Sequence, residues 1–311
     1  MTLCSIVIRS FNEADHIGRL FEGISKQSIS DVEIILVDSG STDSTLEIAS
    51  NYPVKIIRIE PTDFTFGRSL NNGISCTNSN LIVIASAHVY PVYPDWLEQL
   101  LTPFSEKEIA LSYGKQRGDR NSNFAEQQIF KQWYPNESLK HQPHPFCNNA
   151  NSAIRKELWE KRPFDETLTG LEDLEWAKWI TDQGYFVAYK CEAEVIHVHN
   201  ETPIAVYNRY KREAIAFKRI FPEENFSFNN FITLASTNIA TDIKHLPKNT
   251  STFSNLVNLI WFRLMQFWGT FQGYRFSGPV SWQLRKTFYY PGKSLHHPDS
   301  LRTIDPIQYG E

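Results

Sequence analysis

The residues best suited to chemistry are acids and histidines at the ends of predicted strands or the start of a predicted helix. Asp38 directly follows the apolar run Ile34 to Val37. In an open α/β sheet, ligands bind beyond the carboxyl ends of the strands, where a carboxylate accepts hydrogen bonds from ribose hydroxyls or a base N–H. A nucleotide is therefore predicted at Asp38, although an acid in a turn before a helix cap explains this stretch equally well.

Two adjacent acids, Glu172 and Asp173, begin a predicted helix over 171–183. Helical spacing places Glu172 in line with Trp176 and Trp179, and Asp173 shares a face with Trp176, so the pair is partly shielded from water. Acids in a first turn commonly complement the helix dipole. The two neighbouring tryptophans favour a functional site instead.

Histidines and cations supply further candidates. His88 lies in the segment 86–96, which leaves a predicted central strand. His197 and His199 alternate along a later strand and point to the same side, so both can reach one ligand, or one of them is simply packed. Lys115 and Arg117 lie in a polar loop and could meet phosphate, although such loops are usually just solvated.

These side chains need a scaffold, and the hydrophobic pattern predicts an α/β fold. Short apolar runs alternate with segments whose apolar residues recur at helical spacing. Alternation of this kind predicts a doubly wound, mostly parallel sheet. The predicted strands are 5–10, 32–38, 54–59, 81–85, 109–113, 152–155, 186–190 and 194–198; the predicted helices are 17–24, 43–51, 66–76, 95–104, 156–161, 171–183, 206–221 and 253–276.

Composition narrows the class of protein. The chain has 311 residues, 41% hydrophobic and 21% charged, which suits one large domain with an extension. A net charge of -4 argues against nucleic acid as the main partner. The four cysteines are widely spaced and no apolar run reaches the length of a membrane span, so a cytoplasmic protein is expected.

The last third of the sequence predicts two unusual helices. The helix 206–221 is basic on one side, and the helix 253–276 is aromatic and amphipathic. Such helices can lie on an acidic membrane surface. Packing on the main domain or on a second copy of the chain, as a homodimer, explains them equally well.

Several motifs in chain order are similar to those of family 2 glycosyltransferases, which have the GT-A fold. The resemblance covers roughly the first 220 residues and predicts a GT-A domain over 1–220 and a helical extension over 221–311. The motifs are SIVIRSFNE (5–13), VDSGSTD (37–43), GRSLNNGI (67–74), LIVIASAHVYP (81–91), NNANSAIRKELWE (148–160), FDETLTGLEDLEWA (164–177) and HVHNETP (197–203).

The resemblance implies an inverting transfer of a sugar from a nucleotide donor to a hydroxyl. Asp173, paired with Glu172, would be the general base that removes the acceptor proton. The residues that the resemblance assigns to the donor are Phe11, Glu13, Asp38, Asn71, Ser86, Ala87, Lys115 and Arg117. Those assigned to the acceptor are Trp176, Trp179 and Asn149, with the tryptophans offering flat apolar surfaces to sugar rings.

One departure from the family concerns the metal. The usual Asp-x-Asp after the fourth strand is replaced by Ser86, Ala87 and His88. We hypothesise that His88 and His199 hold a divalent cation, Mn2+ or Mg2+, together with donor phosphates and water. Alternatively, no metal is used and His88, Lys115 and Arg117 neutralise the leaving phosphate. A CMP-linked donor, with its single phosphate, also stays open.

The function implied by the resemblance is glycosyl transfer to a glycan or lipid-linked acceptor in surface polysaccharide or glycolipid assembly. A non-catalytic protein that binds nucleotide sugars or glycans is the alternative, and the lost Asp-x-Asp is its main support. The retained acid pair argues against it, because binding alone needs no general base. A nucleotidyltransferase is a lesser option, since SFNEAD follows the first strand where a Gly-rich basic loop is expected.

Overall fold

An eight-stranded mixed sheet forms the centre of the protein in the computed structural model, which describes residues 3–120, 122–199, 201–247 and 253–278. The strand order is β3-β2-β1-β4-β7-β6-β8-β5. The strands are β1 (Cys4–Ser10), β2 (Val32–Asp38), β3 (Val54–Arg58), β4 (Leu81–Ser86), β5 (Val89–Pro91), β6 (Ile109–Arg117), β7 (Asn151–Arg155) and β8 (Phe186–His197).

Helices cover both faces of this sheet. They are α1 (Ile17–Ser25), α2 (Thr45–Ala49), α3 (Phe66–Ser75), α4 (Trp96–Leu101), α5 (Phe124–Trp133), α6 (Lys156–Lys161), α7 (Glu172–Asp182), α8 (Pro203–Ile220), α9 (Phe228–His245) and α10 (Phe253–Arg275). Successive strand residues face opposite layers, since Ile6 and Ile8 pack with α1 and α4 whereas Val7 packs with α3, α6 and α7. The predicted α/β fold with helices on both faces is confirmed.

The order in which the chain adds strands to the sheet reverses at β1, and this reversal positions the site. Chain connections run from β1 outward to β2 and β3, then return to β4 on the other side of β1. Ser10 pairs in register with Asp38, and Arg9 pairs with Ser86. The carboxyl ends of β1, β2 and β4 therefore open into one crevice, where ligands of α/β sheets bind.

The sheet departs from the predicted pattern at its far side. The central β7 is antiparallel to β4 and β6, so among the described strands four pairings are parallel and three are antiparallel. The two strands predicted over 186–198 form one long strand, β8. Neither α5 nor α9 was predicted from the sequence. The apolar residues of α5 recur at helical spacing and were overlooked, whereas α9 is rich in Asn, Thr and Ser, which favour turns.

The last three helices pack on one another. A Cβ atom added at Gly269 of α10 would lie 2.4 Å from the carbonyl oxygen of Tyr207 in α8, and one at Gly273 would lie 2.5 Å from that of Lys211. Arg263 of α10 forms a buried ion pair with Asp242 of α9 at 2.7 Å. Thus α8 joins the predicted extension through backbone contacts. Within 221–311, residues 248–252 and 279–311 lie outside the described residues.

Candidate active site

The acid pair opens α7 and is buried against the start of β7. Asp173 accepts hydrogen bonds from the backbone N–H of Asn149 at 2.9 Å and of Leu174 at 2.8 Å. Glu172 accepts from the guanidinium of Arg9 at 3.3 Å. Burial, reinforced by the Glu172 charge, raises the pKa of Asp173 to about 7, although the two N–H groups and Arg9 act in the opposite direction. A carboxyl with this pKa can exchange protons near neutral pH.

Asn149 holds this pair in place. It is buried, its side-chain amide lies 3.4 Å from Glu172, and its side-chain oxygen accepts from Ser152. Its polar atoms thus serve the acids and β7, which corrects the prediction of a direct acceptor contact. Asn149 lies in the turn just before β7, so this turn supplies both its backbone N–H to Asp173 and its side-chain amide to Glu172.

Of the two tryptophans of α7 that were assigned to acceptor binding, the role of Trp176 is contradicted by the structure, and the role of Trp179 stays a prediction. Trp176 has no exposed surface and donates its indole N–H to the carbonyl of Arg162, so it is a core residue. Trp179 lies beside the guanidinium of Arg162 and lines a different cavity with Glu175. Helical spacing had correctly placed them near the acids, but it could not distinguish the core side of α7 from an open side.

Asn71 was also wrongly assigned to the donor. Its amide donates to the carbonyl of Phe164 at 2.9 Å and to Glu166 at 3.0 Å. Its oxygen accepts from the indole N–H of Trp159 at 2.9 Å and from the N–H of Phe164 at 3.1 Å. With its donors and acceptor occupied, Asn71 fastens α3 to the segment before α7 rather than offering atoms to a ligand.

Asp38 shapes the loop after β2. Its carboxylate accepts from the hydroxyl of Ser10 at 3.2 Å and from the backbone N–H groups of Gly40 and Ser41 at 3.0 Å. The residue is buried at the crevice between β1 and β2. Phe11, half-buried, follows β1 at the same crevice. Donor binding by Asp38 and Phe11 stays a prediction.

Three histidines meet beyond the ends of β4 and β8. His88, His197 and His199 bring potential ligand nitrogens within 4.8 Å of one another. The ring of His88 stacks on that of His197 with centroids 5.0 Å apart, and the His197 and His199 centroids are 4.1 Å apart. The structure therefore unites the predicted pair, His88 and His199, and adds His197, which the sequence had left as packed or liganding.

The surroundings set the charge of these rings. Burial lowers the pKa of His197 well below its ordinary value, and the neighbouring histidines and Arg209 reinforce this. Burial also lowers the pKa of His88, but the Glu13 carboxylate, 2.8 Å from its Nδ1, outweighs it and the net direction is upward. Glu13, predicted to bind the donor, thus supports His88.

The two residues before His88 behave differently. The hydroxyl of Ser86 lies 3.1 Å from His88 Nε2, at the crevice between β1 and β4. Ala87 is buried and its methyl group packs in the core below the sheet end. Ala87 could therefore contact a donor only through its backbone. Donor binding by Ser86 stays a prediction.

The predicted phosphate contacts lie at the end of β6 and are paired with an acid. Arg117 is 2.6 Å from Glu194 of β8, and Lys115 is 3.4 Å from the same carboxylate. Both side chains line a cavity of about 540 Å³ on the outer side of β6, together with Lys131. Neutralisation of a leaving phosphate by Lys115 and Arg117 remains a prediction.

A cavity of about 370 Å³ connects the acid with the histidines. Asp173, His197 and His199 lie on its wall, and α8 and α10 close the opposite side. Its lining is mainly apolar, and the sequence analysis missed it, although the abundance of aromatics in the second half was the available signal. The aromatic lining residues are Phe130, Trp133, Tyr134, Phe146, Tyr210, Phe217, Phe226 and Tyr274.

Most cations of the basic helix α8 contact other groups of the protein. Arg209 contacts Glu126 at 2.8 Å and Glu201 at 2.7 Å, and Lys218 donates to the carbonyl of Tyr274. Arg212 lies over the ring of Phe66. These charges stabilise the packing between helices and sheet, whereas Lys211 is half-buried and Arg219 is exposed. Attraction of the basic cluster at 209–219 to acidic lipid headgroups stays a prediction.

Comparison with known proteins places these features in a family. Residues 5–162, just over half of the chain, match the model of the family described as Glycosyl transferase family 2. The O-antigen chain rhamnosyltransferase WbaN of Salmonella anatum is 30% identical over 202 residues, which are 61% of this chain and 64% of that protein. The match therefore spans slightly less than two thirds of that relative.

Solved structures show the same fold. The mannosyltransferase PcManGT of Pyrobaculum calidifontis, solved with GDP-Man and Mn2+, superposes with a TM-score of 0.59 at 16% identity and covers 85% of this chain and 87% of that one. S. aureus TarS 1-349, solved with UDP-GlcNAc, superposes with a TM-score of 0.53 at 14% identity and covers 92% and 91%. At these identities the likeness establishes the GT-A fold alone.

Proposed function

Because this chain belongs to glycosyl transferase family 2, we propose that it is an inverting enzyme that moves a sugar from a nucleotide-sugar donor to a hydroxyl of a glycan or lipid-linked acceptor. Surface polysaccharide biosynthesis is the process we propose for it, in keeping with the O-antigen relative. The observation that carries the proposal is Asp173, a buried acid whose pKa is raised to about 7, on the wall of a cavity that is also lined by His197 and His199.

The proposed reaction is one displacement at the anomeric carbon. The acceptor oxygen forms a bond to that carbon as its proton passes to Asp173, and the bond from the carbon to the donor phosphate oxygen breaks. The nucleotide leaves from the opposite face, so the configuration inverts. Glu172 keeps the pKa of Asp173 high, and Arg9 and Asn149 fix the position of the pair.

We place the donor in the crevice at the carboxyl ends of β1, β2 and β4. Asp38, Phe11 and Ser86 border this crevice, which lies where the sheet order reverses. The acceptor enters the aromatic cavity instead, where ring faces can pack on the apolar faces of a sugar. A cavity of about 370 Å³ lies within the usual size range of small-ligand pockets.

The family resemblance implies a divalent cation, and the residues present fit one. His88 and His199 would hold it, and when bound it would offset the negative charge that develops on the leaving phosphate. The fit rests on an observation of this chain: the buried Nε2 of His197, in the same cluster, has no hydrogen-bond partner. The metal-free alternative assigns the same task to His88, Lys115 and Arg117.

We further propose that the enzyme works at the cytoplasmic surface of a membrane. Exposed apolar side chains recur on one face of α10 at the helical spacing of Phe253, Val257, Ile260 and Leu264. No helix of the described residues is long and apolar enough to cross a membrane. A surface-bound helix of this kind needs only its apolar face to enter the headgroup boundary.

Vesicle sedimentation tests the membrane proposal. The protein should sediment with acidic phospholipid vesicles, and Ile260→Asp should weaken this binding without loss of helix content. Exposed Leu139, far from the last three helices in sequence, provides the matched control as Leu139→Asp. The alternative outcome is a wild-type protein that does not bind vesicles but forms a dimer, and a dimer that Ile260→Asp dissociates. That result would show that the apolar face of α10 binds a second copy of the chain and not a membrane.

A non-catalytic sugar-binding protein is the competing function. The raised pKa of Asp173 argues against it, because a binding site gains nothing from burying a base at a cost in stability. Calorimetric titration with UDP, GDP, dTDP and CMP, followed by assay of the matching nucleotide sugars, decides between the two. Turnover that Asp173→Asn abolishes supports the enzyme, and nucleotide-sugar binding without turnover supports the binding protein.

A further inference from the structure

The histidine cluster has a complete set of supporting contacts. The Nδ1 atom of His88 lies 2.8 Å from a carboxylate oxygen of Glu13, and that of His199 lies 2.8 Å from a carboxylate oxygen of Glu126. In metal sites, a carboxylate or carbonyl on one ring nitrogen fixes the tautomer and leaves the other nitrogen for the ion. His88 and His199 therefore each have an acid on Nδ1, and the hydroxyl of Ser86, 3.1 Å from the Nε2 of His88, is the group that an ion would replace there.

His197 has the same arrangement with an amide. Its Nδ1 lies 2.7 Å from the side-chain oxygen of Gln116, a buried residue of β6. An amide oxygen accepts only, so the Nδ1 of His197 carries the proton and its Nε2 is the atom with a free lone pair. That Nε2 is buried in a residue with 6% exposure and has no hydrogen-bond partner. An unpaired buried nitrogen costs stability unless something binds it.

A second acidic group nearby is a weaker candidate for an ion. Glu126, His199 and Glu201 also lie within 4.8 Å of one another. Both carboxylates, however, contact the guanidinium of Arg209, at 2.8 and 2.7 Å. A cation there would have to displace Arg209 from both carboxylates, whereas at the three rings Arg209 reaches only the Nδ1 of His199, at 3.5 Å.

We propose that His197 joins His88 and His199 as the third ligand of an all-imidazole site, and that this site selects Zn2+ or Co2+ over Mg2+ and Mn2+. Imidazole nitrogen suits the later divalent metals, whereas Mg2+ and Mn2+ prefer oxygen ligands. The segment Ser86, Ala87 and His88, where the family resemblance implies an Asp-x-Asp, offers a ring nitrogen and no carboxylate. The inference rests on the proposed function only in that the site lies beside Asp173.

The geometry fits a catalytic rather than a structural site. Three protein ligands with an open position are typical of catalytic zinc. Two ligands of one ion would lie at most about 4.2 Å apart, twice a metal–nitrogen bond of roughly 2.1 Å, and the nitrogens of the three rings lie within 4.8 Å of one another. His197 and His199 border the aromatic cavity, and the open position is therefore accessible to a phosphate oxygen or water.

Cobalt titration of the full chain, stripped with EDTA, tests this directly. Co2+ bound by three imidazoles gives visible absorption bands, which Zn2+ should abolish by displacement and Mg2+ at hundredfold excess should not. Calorimetry with Zn2+ measures affinity. His88→Ala, His199→Ala and His197→Gln should each weaken Zn2+ binding at least hundredfold, while the exposed His141→Ala should leave it unchanged.

A further variant tests the site without changing any of the three histidines. Gln116→Leu keeps all three rings but removes the oxygen from His197 Nδ1, and it should weaken Zn2+ binding about 10- to 100-fold. Circular dichroism and thermal melting check that each variant folds. His197→Gln that folds and binds Zn2+ like wild type would overturn the proposal, as would Mg2+ binding as tight as Zn2+.

Turnover separates this inference from the proposed function. A protein that binds Zn2+ through the three histidines but transfers no sugar would keep the metal site and overturn the enzyme. Sugar transfer that is unaffected by EDTA, with no cobalt spectrum, would keep the enzyme and overturn the metal site.

Discussion

The pKa of Asp173 makes a prediction that a single amide substitution can test. Burial and the Glu172 charge raise this pKa from 3.8 to about 7, which is roughly 4 kcal/mol of penalty on the ionised form. A general base must be ionised to work, so the kcat/KM for the acceptor should fall about tenfold per pH unit below pH 7. Glu172→Gln removes the nearest negative charge and should move this limb down by about one pH unit or more.

The matched control lies on the same helix. Glu175 is also an acid in the first turn of α7, but its carboxylate pairs with Arg162, and the charges that act most on Asp173 are Glu172 and Arg9. Glu175→Gln should therefore leave the acidic limb where it is. Carboxyl carbon NMR, with the Asp173 signal assigned by its loss in Asp173→Asn, reads the same pKa without any substrate.

The pH dependence of the free energy of unfolding tests the raised pKa of Asp173 independently. The folded pKa of Asp173 lies above its unfolded value, so its contribution is fully present below about pH 4 and is lost as the pH rises through 7. Relative to the wild type, Asp173→Asn should therefore become progressively more stable between about pH 4 and pH 7, and the difference should level off above pH 7. A carboxyl signal that titrates near pH 4, or equal shifts in the Glu172 and Glu175 variants, would refute the reasoning.

Three further substitutions test the packing and the corrected roles. Arg263→Ala should cost about 3–5 kcal/mol in urea unfolding, because it leaves the buried Asp242 carboxylate unpaired, and a double replacement of both residues by leucine should recover most of this. Asn71→Ala should cost about 3 kcal/mol by stranding the buried N–H groups of Trp159 and Phe164, with unchanged nucleotide affinity of the folded protein in calorimetry. Phe217→Ala should raise the acceptor KM several-fold and leave acceptor-independent donor hydrolysis unchanged; an unchanged acceptor KM would remove the aromatic cavity as the acceptor site.

Local pattern was sufficient to predict most strands of the sheet and most of the helices that cover it. The apolar run before Asp38 and the stripe of Ile17 and Leu20 depend on neighbours close in sequence, and the structure has β2 and α1 there. The acid pair was found for the same reason, since its motif is contiguous. The GT-A fold expected from the ordered motifs is confirmed.

The misassigned residues depend on contacts that are distant in sequence. Trp176 and Asn71 were judged by type, but the residues that occupy their polar atoms lie 14 and 88 or more positions away. The part of Gln116 in orienting His197 comes from the pairing of β6 with β8, 81 residues apart. The antiparallel insertion of β7 likewise depends on long-range pairing that hydrophobic periodicity does not encode.

The close approach of α8 and α10 limits which residues of these two helices can be substituted. Backbone lies against backbone at Gly269 and Gly273, so the spacing of the two helices is fixed by main-chain atoms. Other side chains of these helices, such as Tyr210 and Thr270, line the aromatic cavity and are not part of the contacts at the two glycines. Substitution of such residues would change the shape of the cavity and, if the proposed acceptor site is correct, the acceptor that fits it, while the spacing of the two helices stays the same.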